Sequence, residues 1–313
     1  MGNRFEFRPY IRPFRQPLKT HYGEWRDRAG ILLRLTADDE RVGYGEIAPV
    51  PWFGSETLEQ ALEWCQRLPT ELPPDTIPAI SNSLPACQFG FESAWEAMST
   101  EMNQPQLPLS ALLPAGAAAL SAWKPLWKAG YRTFKWKIAV ATPLQELKWF
   151  ECLKQLLPVD AKLRLDANGG LTLEQATEWL EACDRNTVEY LEQPLPPHQF
   201  QDLLNLQASF ATTLALDESV ATLQQLQQCY EQGWRSVVVV KPAIAGSPAQ
   251  LRQFCQTYLI DAVFSSVFET AIGRQAGLRL AAELGNRARA VGYGTTHWFE
   301  HDLQKFDALW QTL

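Results

Sequence analysis

The sequence predicts an α/β protein, a modified (β/α)7β TIM-like barrel that follows an N-terminal α+β capping domain. Two observations support this fold class. From residue 107 onward, short β-rich runs alternate with amphipathic helical stretches, one pair for about every 25 residues. The first hundred residues instead place strands first and helices after them. A chain of 313 residues has room for a barrel of about 200 residues and a smaller partner domain.

The capping domain is predicted over residues 1–104. Its strands and helices are expected at Ala29–Thr36, Val42–Ala48, Thr57–Leu68 and Phe89–Met102. The proline-rich stretch 69–83 is expected to be a loop. A C-terminal tail, residues 298–313, is expected to pack back on this domain.

The catalytic barrel is predicted over residues 105–297. Its strands are expected at Leu107–Leu112, Arg132–Ile138, Lys162–Asp166, Val188–Glu192, Thr213–Asp217, Ser236–Lys241, Ala262–Ser266 and Ala290–Tyr293. Helices are expected between them, among others at Pro143–Leu156, Thr172–Cys183, Thr222–Gln232 and Pro248–Tyr258. An open doubly wound sheet is the competing fold, but the glycine-rich turn that usually follows its first strand is missing from the sequence.

Bulk composition excludes several classes of function. The net charge of −7 argues against a nucleic-acid partner, which needs a concentrated basic surface. No apolar run approaches the length of about 20 residues that a membrane helix requires, and no secretory signal precedes the first strand. The 6 cysteines are scattered, which is typical of reduced thiols. We therefore expect a cytoplasmic protein with no membrane partner.

Ionisable residues end four of the predicted strands. Asp166, Glu192, Asp217 and Lys241 follow one another at steps of about 25 residues, which matches one strand and helix unit. They should therefore share the C-terminal rim, where barrel enzymes place their active sites. Three carboxylates would repel one another there unless a cation joined them. Oxygen ligands without cysteine or histidine favour Mg²⁺ first and Mn²⁺ second. The alternative is that these acids merely begin helices.

Two lysines alternate along the strand Arg132–Ile138. Lys135 and Lys137 share one face of it, and bulky apolar residues occupy the other. The apolar face should pack against helices, so both lysines should point into the barrel. A neighbouring cation lowers the pKa of a lysine toward the range of a general base, so Lys135 is expected to act in this way on Lys137. An exposed edge strand is the alternative. Lys241 ends the apolar strand across the barrel.

These residues resemble the enolase superfamily, and specifically its muconate-lactonizing subgroup. The resemblance covers essentially the whole chain in order, spacing and domain layout. It rests on Lys135-Trp-Lys137, Asp166-Ala-Asn168, Glu192-Gln-Pro194, Asp217-Glu-Ser219 and Lys241-Pro242.

Two further stretches are similar to the o-succinylbenzoate synthases of that subgroup. Residues 45–57 resemble the loop of their capping domain, and 264–270 resemble the segment whose serine pair binds a substrate carboxylate. The resemblance implies that Ser265, Ser266 and Gly294 bind the substrate. Dipeptide epimerases of the subgroup usually carry Asp-x-Asp at the last strand, where this chain has Gly-Tyr-Gly-Thr.

The resemblance also implies a mechanism. The activity would be that of a carbon-oxygen lyase (a hydro-lyase) of menaquinone and phylloquinone biosynthesis. It dehydrates 2-succinyl-6-hydroxy-2,4-cyclohexadiene-1-carboxylate to o-succinylbenzoate. Lys137 removes the proton α to the ring carboxylate, and Mg²⁺ stabilises the enediolate, as is general in this superfamily. Lys137 then passes the proton to the departing hydroxyl, Lys241 gives electrostatic support, and Lys135 and Asn168 are ancillary.

Three alternatives remain open at this stage. An N-acylamino-acid racemase would use Lys137 and Lys241 as bases on opposite faces of the substrate. A non-catalytic binding barrel would keep the scaffold alone. A phosphate-binding barrel is disfavoured because no glycine-rich cradle follows the last two strands.

Overall fold

The computed structural model describes residues 3–20, 23–99, 105–186, 188–299 and 306–311. The N-terminal part forms a four-stranded antiparallel sheet, and the rest forms an eight-stranded parallel sheet. The predicted fold class, a (β/α)7β barrel with an α+β capping domain, is confirmed.

The antiparallel sheet carries two helices, α1 and α2. Its strands are β1 (Asn3–Thr20), β2 (Gly23–Thr36), β3 (Val42–Ile47) and β4 (Glu71–Leu72), and the helices are α1 (Leu58–Arg67) and α2 (Pro85–Ala97). The order across the sheet is β3-β2-β1-β4. Helix α2 begins and ends earlier than the predicted Phe89–Met102, of which residues 100–102 lie outside the described part of the chain.

The two helices of the capping domain begin where the sequence supplies acceptors for free amide groups. Thr57 and Gln60 form a capping box at the start of α1. Helix α2 begins at Pro85, and the carboxylate of Glu56 accepts hydrogen bonds from the backbone amides of residues 86 and 87 at 3.0 and 2.8 Å. One buried carboxylate thus joins the loop before α1 to the start of α2.

Strands and helices alternate through the barrel. Its strands are β5 (Leu109–Leu113), β6 (Thr133–Lys137), β7 (Lys162–Asp166), β8 (Tyr190–Glu192), β9 (Leu214–Leu216), β10 (Val237–Val240), β11 (Asp261–Phe264) and β12 (Val291–Gly294). Its helices are α3 (Ala119–Lys128), α4 (Pro143–Leu156), α5 (Leu173–Asn186), α6 (Phe200–Ser209), α7 (Leu223–Glu231), α8 (Pro242–Ala245), α9 (Pro248–Thr257) and α10 (Ala271–Leu284). A last helix, α11, spans Phe306–Gln311. All eight predicted strands are present, with ends shifted by a few residues.

The parallel strands follow one another around the barrel. The order is β11-β10-β9-β8-β7-β6-β5-β12. An isolated parallel bridge between Ser265 and Gly292 joins the two ends of this sheet. All eight strands therefore point the same way, and their C-terminal ends meet at one rim.

Alternation along the strands separates the core into two layers. Val238 and Val240 belong to the large core that the helices cover, whereas Val237 and Val239 pack with Tyr190 inside the barrel. The same alternation buries Phe134 and Trp136 completely under the helices. This arrangement turns the lysines of β6 inward, as predicted.

Residues near the C-terminus contact the antiparallel sheet at two places. Trp298 and Phe299 pack with Phe14 and Leu18 of β1. Trp310, on α11, lies in a cluster with Tyr10, Leu32 and Ile272. Other parts of the predicted tail, residues 300–305, 312 and 313, lie outside the described residues. In the part of the chain that is described, no helix is long and apolar enough to span a bilayer.

Two glycines of β3 let α2 lie directly on the antiparallel sheet. A Cβ atom at Gly45 would lie 2.0 Å from the carbonyl oxygen of Gly90, and one at Gly43 would lie 1.9 Å from that of Ala94. Neither glycine has a positive φ, so close packing explains their presence.

We expect Gly45→Ala to lower the free energy of unfolding by about 3 kcal/mol or more, because a backbone carbonyl cannot move aside as a side chain can. Gly130→Ala is the control. Its φ is +100° and no heavy atom lies within 4 Å, so it should lose only about 1–2 kcal/mol through backbone strain. Denaturant unfolding measures both losses, and equal losses would contradict the packing explanation.

Candidate active site

A cavity opens at the C-terminal ends of the barrel strands. Eight of the predicted site residues line it: Lys135, Lys137, Asp166, Asn168, Asp217, Lys241, Ser265 and Ser266. Of the other two, Glu192 lies at the end of β8 and is fully buried, and Gly294 lies in β12 outside the lining.

Strand register places the carboxylates side by side. Lys137 pairs with Asp166 across β6 and β7, and Asp166 pairs with Glu192 across β7 and β8. Asp217 directly follows β9. All three carboxylates are at most 1% exposed. The predicted grouping of three acids on one rim is therefore present.

Lys135 lies between two of these carboxylates. Its Nζ is 2.9 Å from Oδ2 of Asp166 and 2.7 Å from Oε1 of Glu192. Burial alone would lower the pKa of Lys135, but the charges of Asp166, Glu192 and Asp217 outweigh it and raise that pKa well above its usual value. The surrounding carboxylates therefore favour the charged form of Lys135.

The carboxylates respond differently to burial. Burial would raise the pKa of Asp166, but the charges of Lys135 and Lys137 hold that pKa below its usual value. Burial raises the pKa of Glu192 to about 8, although Lys135 opposes it. Burial also raises the pKa of Asp217, against the opposing effect of Lys241. The pKa of each carboxylate thus reflects both its burial and the lysine beside it.

Lys137 has two acceptors. Its Nζ lies 3.1 Å from Oδ2 of Asp166 and donates a hydrogen bond to Oδ1 of Asn168 at 2.5 Å. The Asn168 amide donates in turn to Glu218 at 2.9 Å. Asn168 has a φ of +46°, in the left-handed region that asparagine adopts more readily than most residues other than glycine. The turn after β7 thus fixes the orientation of Lys137.

Lys241 faces Lys137 from the other side of the carboxylates. It follows β10, its Nζ pairs with Asp217, and it lies 3.9 Å from the centre of the Phe53 ring. Phe53 belongs to the loop before α1, so a capping-domain residue directly contacts a rim lysine. Trp25 and Trp52 line the same side of the cavity and pack edge to face at 5.0 Å.

The donor set suits a hard divalent cation. Asp166, Glu192 and Asp217 offer carboxylate oxygens only, and Oε2 of Glu192 is a buried oxygen with no hydrogen-bond partner among the described residues. As the side chains stand, no group of three or more His, Cys, Asp or Glu residues in the described chain is gathered at ligand spacing. The ammonium groups of Lys135 and Lys241 are the partners of these carboxylates instead.

Gln193 organises the rim, and sequence reasoning gave it no role. Its side-chain oxygen accepts from the backbone amides of Asp217 at 2.9 Å and Ser219 at 3.1 Å. Its amide donates to the Leu195 carbonyl at 2.8 Å and to the Ser219 hydroxyl at 2.7 Å. Since Gln193 follows Glu192, it fixes two of the acidic strand ends relative to each other. A buried amide side chain directly after a strand-ending acid is the signal that could have identified Gln193.

Two of the predicted substrate residues, Ser265 and Ser266, lie across the barrel from Asp166. Ser265 and Ser266 follow β11, which is four strands from β7 in the barrel order. Gly294 does not reach the cavity, because its position is packed against the Ser110 carbonyl. Gly292 and Thr295 line the cavity in its place. They flank Gly294 in a Gly-Tyr-Gly-Thr stretch whose pairing with β5 is irregular between Val291 and Gly294.

Comparison with known proteins gives the family. A family profile described as MenC, N-terminal domain, matches residues 7–98, and one described as Enolase C-terminal domain-like matches residues 118–309. An o-succinylbenzoate synthase of Thermosynechococcus vestitus is 41% identical over 320 residues, covering 99% of each chain. One of Klebsiella pneumoniae is 29% identical over 83% of this chain and 80% of its own.

Solved structures support the same family assignment. The crystal structure of o-succinylbenzoate synthase from Thermosynechococcus elongatus BP-1, complexed with Mg in the active site, matches with a TM-score of 0.91 and 40% identity, over 99% of this chain and 100% of that one. The L-Ala-D/L-Glu epimerase from Bacillus subtilis matches with a TM-score of 0.83 at 18% identity, which shows the fold alone. The chain therefore belongs to the o-succinylbenzoate synthase family of the enolase superfamily.

Proposed function

We propose that this protein catalyses the Mg²⁺-dependent dehydration of 2-succinyl-6-hydroxy-2,4-cyclohexadiene-1-carboxylate to o-succinylbenzoate, a hydro-lyase step of menaquinone and phylloquinone biosynthesis. One observation carries the chemistry: Lys137 and Lys241 flank a set of buried carboxylates from opposite sides. Because the chain belongs to this family, we infer that a small-molecule carboxylate binds between them.

Asp166, Glu192 and Asp217 are the proposed ligands of Mg²⁺, with Mn²⁺ as a substitute. The ion in the Thermosynechococcus elongatus structure and the all-oxygen donor set support this assignment. When bound, the ion would stabilise the negative charge that develops on the ring carboxylate as the α-proton leaves.

Lys137 is the proposed base and then acid. The neutral amine takes the proton from the carbon next to the ring carboxylate, and the electron pair of that C–H bond moves toward the carboxylate. The pair then forms the new ring C=C bond as the C–O bond breaks. Lys137 returns its proton to the departing hydroxyl, so that water leaves and the ring becomes aromatic.

The remaining roles follow from position. Lys241 is proposed as a fixed cation and Asn168 as the acceptor that orients Lys137. Ser265, Ser266 and the stretch around Gly294 are proposed to hold the far end of the substrate.

We also propose residues 105–297 as the catalytic barrel and residues 1–104, with the tail 298–313, as the capping domain. The contacts of Trp298 and Trp310 support this division.

The proposed activity is tested with purified protein, Mg²⁺ and the cyclohexadiene substrate. Formation of the aromatic product, followed by its ultraviolet absorbance, is the expected result. Substrate that disappears no faster than in a protein-free control would contradict the proposed function.

Racemisation of N-acylamino acids is the second candidate. The specific observation in its favour is that Lys137 and Lys241 both line the cavity. Exchange of the Cα proton of an N-succinyl amino acid for deuterium would reveal it. A non-catalytic binding barrel is disfavoured, because it has no use for three buried acids and their lysines.

Removal of the divalent ion should stop turnover without unfolding the protein. The three carboxylates then lose a counter-charge, so the melting temperature should fall, by an amount that corresponds to about 2.7 kcal/mol relative to protein at a hundredfold excess of Mg²⁺ over its Kd. Chelation, circular dichroism and readdition of Mg²⁺ measure these effects. Full activity after chelation would refute the assignment of Asp166, Glu192 and Asp217.

Substitutions at the two lysines should have different consequences. Lys137→Ala should lower kcat for dehydration by about 10²–10⁴-fold or more, because one group acts as both base and acid. Lys241→Ala should also lose activity, through lost charge. Lys241→Arg should recover part of the dehydration and show no racemisation, because arginine keeps the charge but cannot act as a base at neutral pH.

Product formation and Cα exchange, measured on the same three variants, decide between these roles. A Lys137→Ala enzyme with near-normal dehydration beside an inactive Lys241→Ala enzyme would show that Lys241 is the base.

Phe53→Ala should raise KM more than it lowers kcat. The ring covers the cavity and contacts Lys241, but it has no acidic or basic group. Phe53→Leu, which keeps much of the apolar bulk, is the matched control and should lie between Phe53→Ala and the wild type. Steady-state kinetics measures both constants, and a fall in kcat with unchanged KM would argue against a covering role.

A further inference from the structure

The hydroxyl hydrogen of Ser266 does not face the cavity. The hydroxyl donates to Oε2 of Glu269 at 3.0 Å. Its oxygen accepts from the Phe268 amide at 2.8 Å, and the Thr295 hydroxyl lies 3.4 Å away. A substrate carboxylate can only accept hydrogen bonds. In this arrangement, Ser266 therefore has no hydrogen to offer to a substrate carboxylate, although it lines the cavity.

Glu269 is a buried carboxyl with one unsatisfied oxygen. Its Oε2 also accepts from the Val267 amide at 2.7 Å, whereas Oε1 has no hydrogen-bond partner among the described residues. The residue is 5% exposed. An ionised carboxylate in such a place is costly, and the neutral acid is cheaper because it carries no charge to desolvate. A protonated Glu269 would donate to Ser266 and free the hydroxyl hydrogen.

We propose that Glu269 is a positioning residue that takes up one proton when a dicarboxylate ligand binds, so that the Ser266 hydroxyl turns and donates to the carboxylate remote from the metal ligands. A solvent proton goes to Oε2 of Glu269, the Glu269 O–H replaces the Ser266 O–H in their shared hydrogen bond, and no covalent bond to carbon changes. The inference rests on the proposed function, because that function supplies a ligand with a second carboxylate.

The charge of Glu46 favours this protonation, and further titratable and charged groups lie near Glu269 on other elements. Glu46 reaches it from β3 of the capping domain, Tyr10 from β1 and Tyr293 from β12. Arg28 faces Tyr10, and Arg274 faces Tyr293.

Glu46 is a strongly held neighbouring carboxylate. It accepts from the Tyr10 hydroxyl, from the backbone amides of Thr270 and Gly273, and from the Thr270 hydroxyl, at the N-terminus of α10. The charge of Glu46 disfavours a second charge on Glu269.

The affinity for a dicarboxylate ligand should therefore depend on pH. Burial, with a further contribution from Glu46, raises the pKa of Glu269 to about 7. The ligand prefers the protonated form, so affinity should be full below that pKa. Affinity should then weaken, by up to about tenfold per pH unit, as the pH rises above it.

Proton uptake tests the proposal directly. o-Succinylbenzoate is titrated into the Mg²⁺-saturated protein at pH 8, in buffers of different ionisation enthalpy, and the dependence of the measured heat on the buffer gives the protons taken up. Wild-type protein should take up about one proton more than Glu269→Gln, whose amide donates to Ser266 at every pH. Ser266→Ala, which keeps the carboxyl but has no hydroxyl to turn, should lose the same uptake. Affinity of Glu269→Gln should be nearly independent of pH between 6.5 and 8.5, within about twofold.

A second ligand isolates the carboxylate concerned. 2-Butanoylbenzoate keeps the ring carboxylate and lacks the succinyl one, so it should bind without the extra proton. Equal uptake by wild type and Glu269→Gln, or by the two ligands with the wild type, would overturn the proposal. If Glu269→Gln does not fold, Ser266→Ala and the pair of ligands still decide. Failure of the proposed function is distinct, since o-succinylbenzoate would then not bind and no product would form.

Discussion

Buried negative charge at the C-terminal rim of the barrel is the constraint on which this site depends. Asp166, Glu192 and Asp217 are almost fully shielded from water, and charges so close together are stable only with cations between them. Lys135 bridges two of them, and Lys241 pairs with the third. The carboxylates that pair with these lysines also suit the rim to a divalent ion, and the ion and the lysines can stabilise the anion that forms during proton abstraction.

Much of this site could be predicted from the sequence, because the alternation of side chains along parallel strands and the regular spacing of those strands determine where their residues lie. Alternation in β6 fixed which face Lys135 and Lys137 occupy, and the regular step between strands placed the acids on one rim. Polar groups at strand ends stand out there because the strands themselves are apolar. The fold class and the family were predicted correctly for the same reason, since both depend on this regular pattern.

Other parts of the site depend on contacts between segments distant in sequence, which no local pattern encodes. The role of Gln193 arises from its bonds to the next strand end, and that proposed for Glu269 from its bond to Ser266 and the nearby charge of Glu46 of the capping domain. Gly294 illustrates a finer limit: the pairing of β12 with β5 is irregular between Val291 and Gly294, and such an irregularity changes which residue faces the cavity. Glu46 lies on β3 yet binds the start of α10, so capping domain and barrel form one hydrogen-bonded unit behind Ser265 and Ser266.

Anomalous diffraction from crystals soaked in MnCl₂ tests the central claim most directly, because Mn²⁺ scatters anomalously and prefers the same oxygen ligands as Mg²⁺. We expect a single strong peak per chain, bounded by carboxylate oxygens of Asp166, Glu192 and Asp217, with Lys135 moved away from at least one of its present partners. A strong peak elsewhere, or none at the rim at saturating Mn²⁺, would contradict the view that these three acids form a metal site.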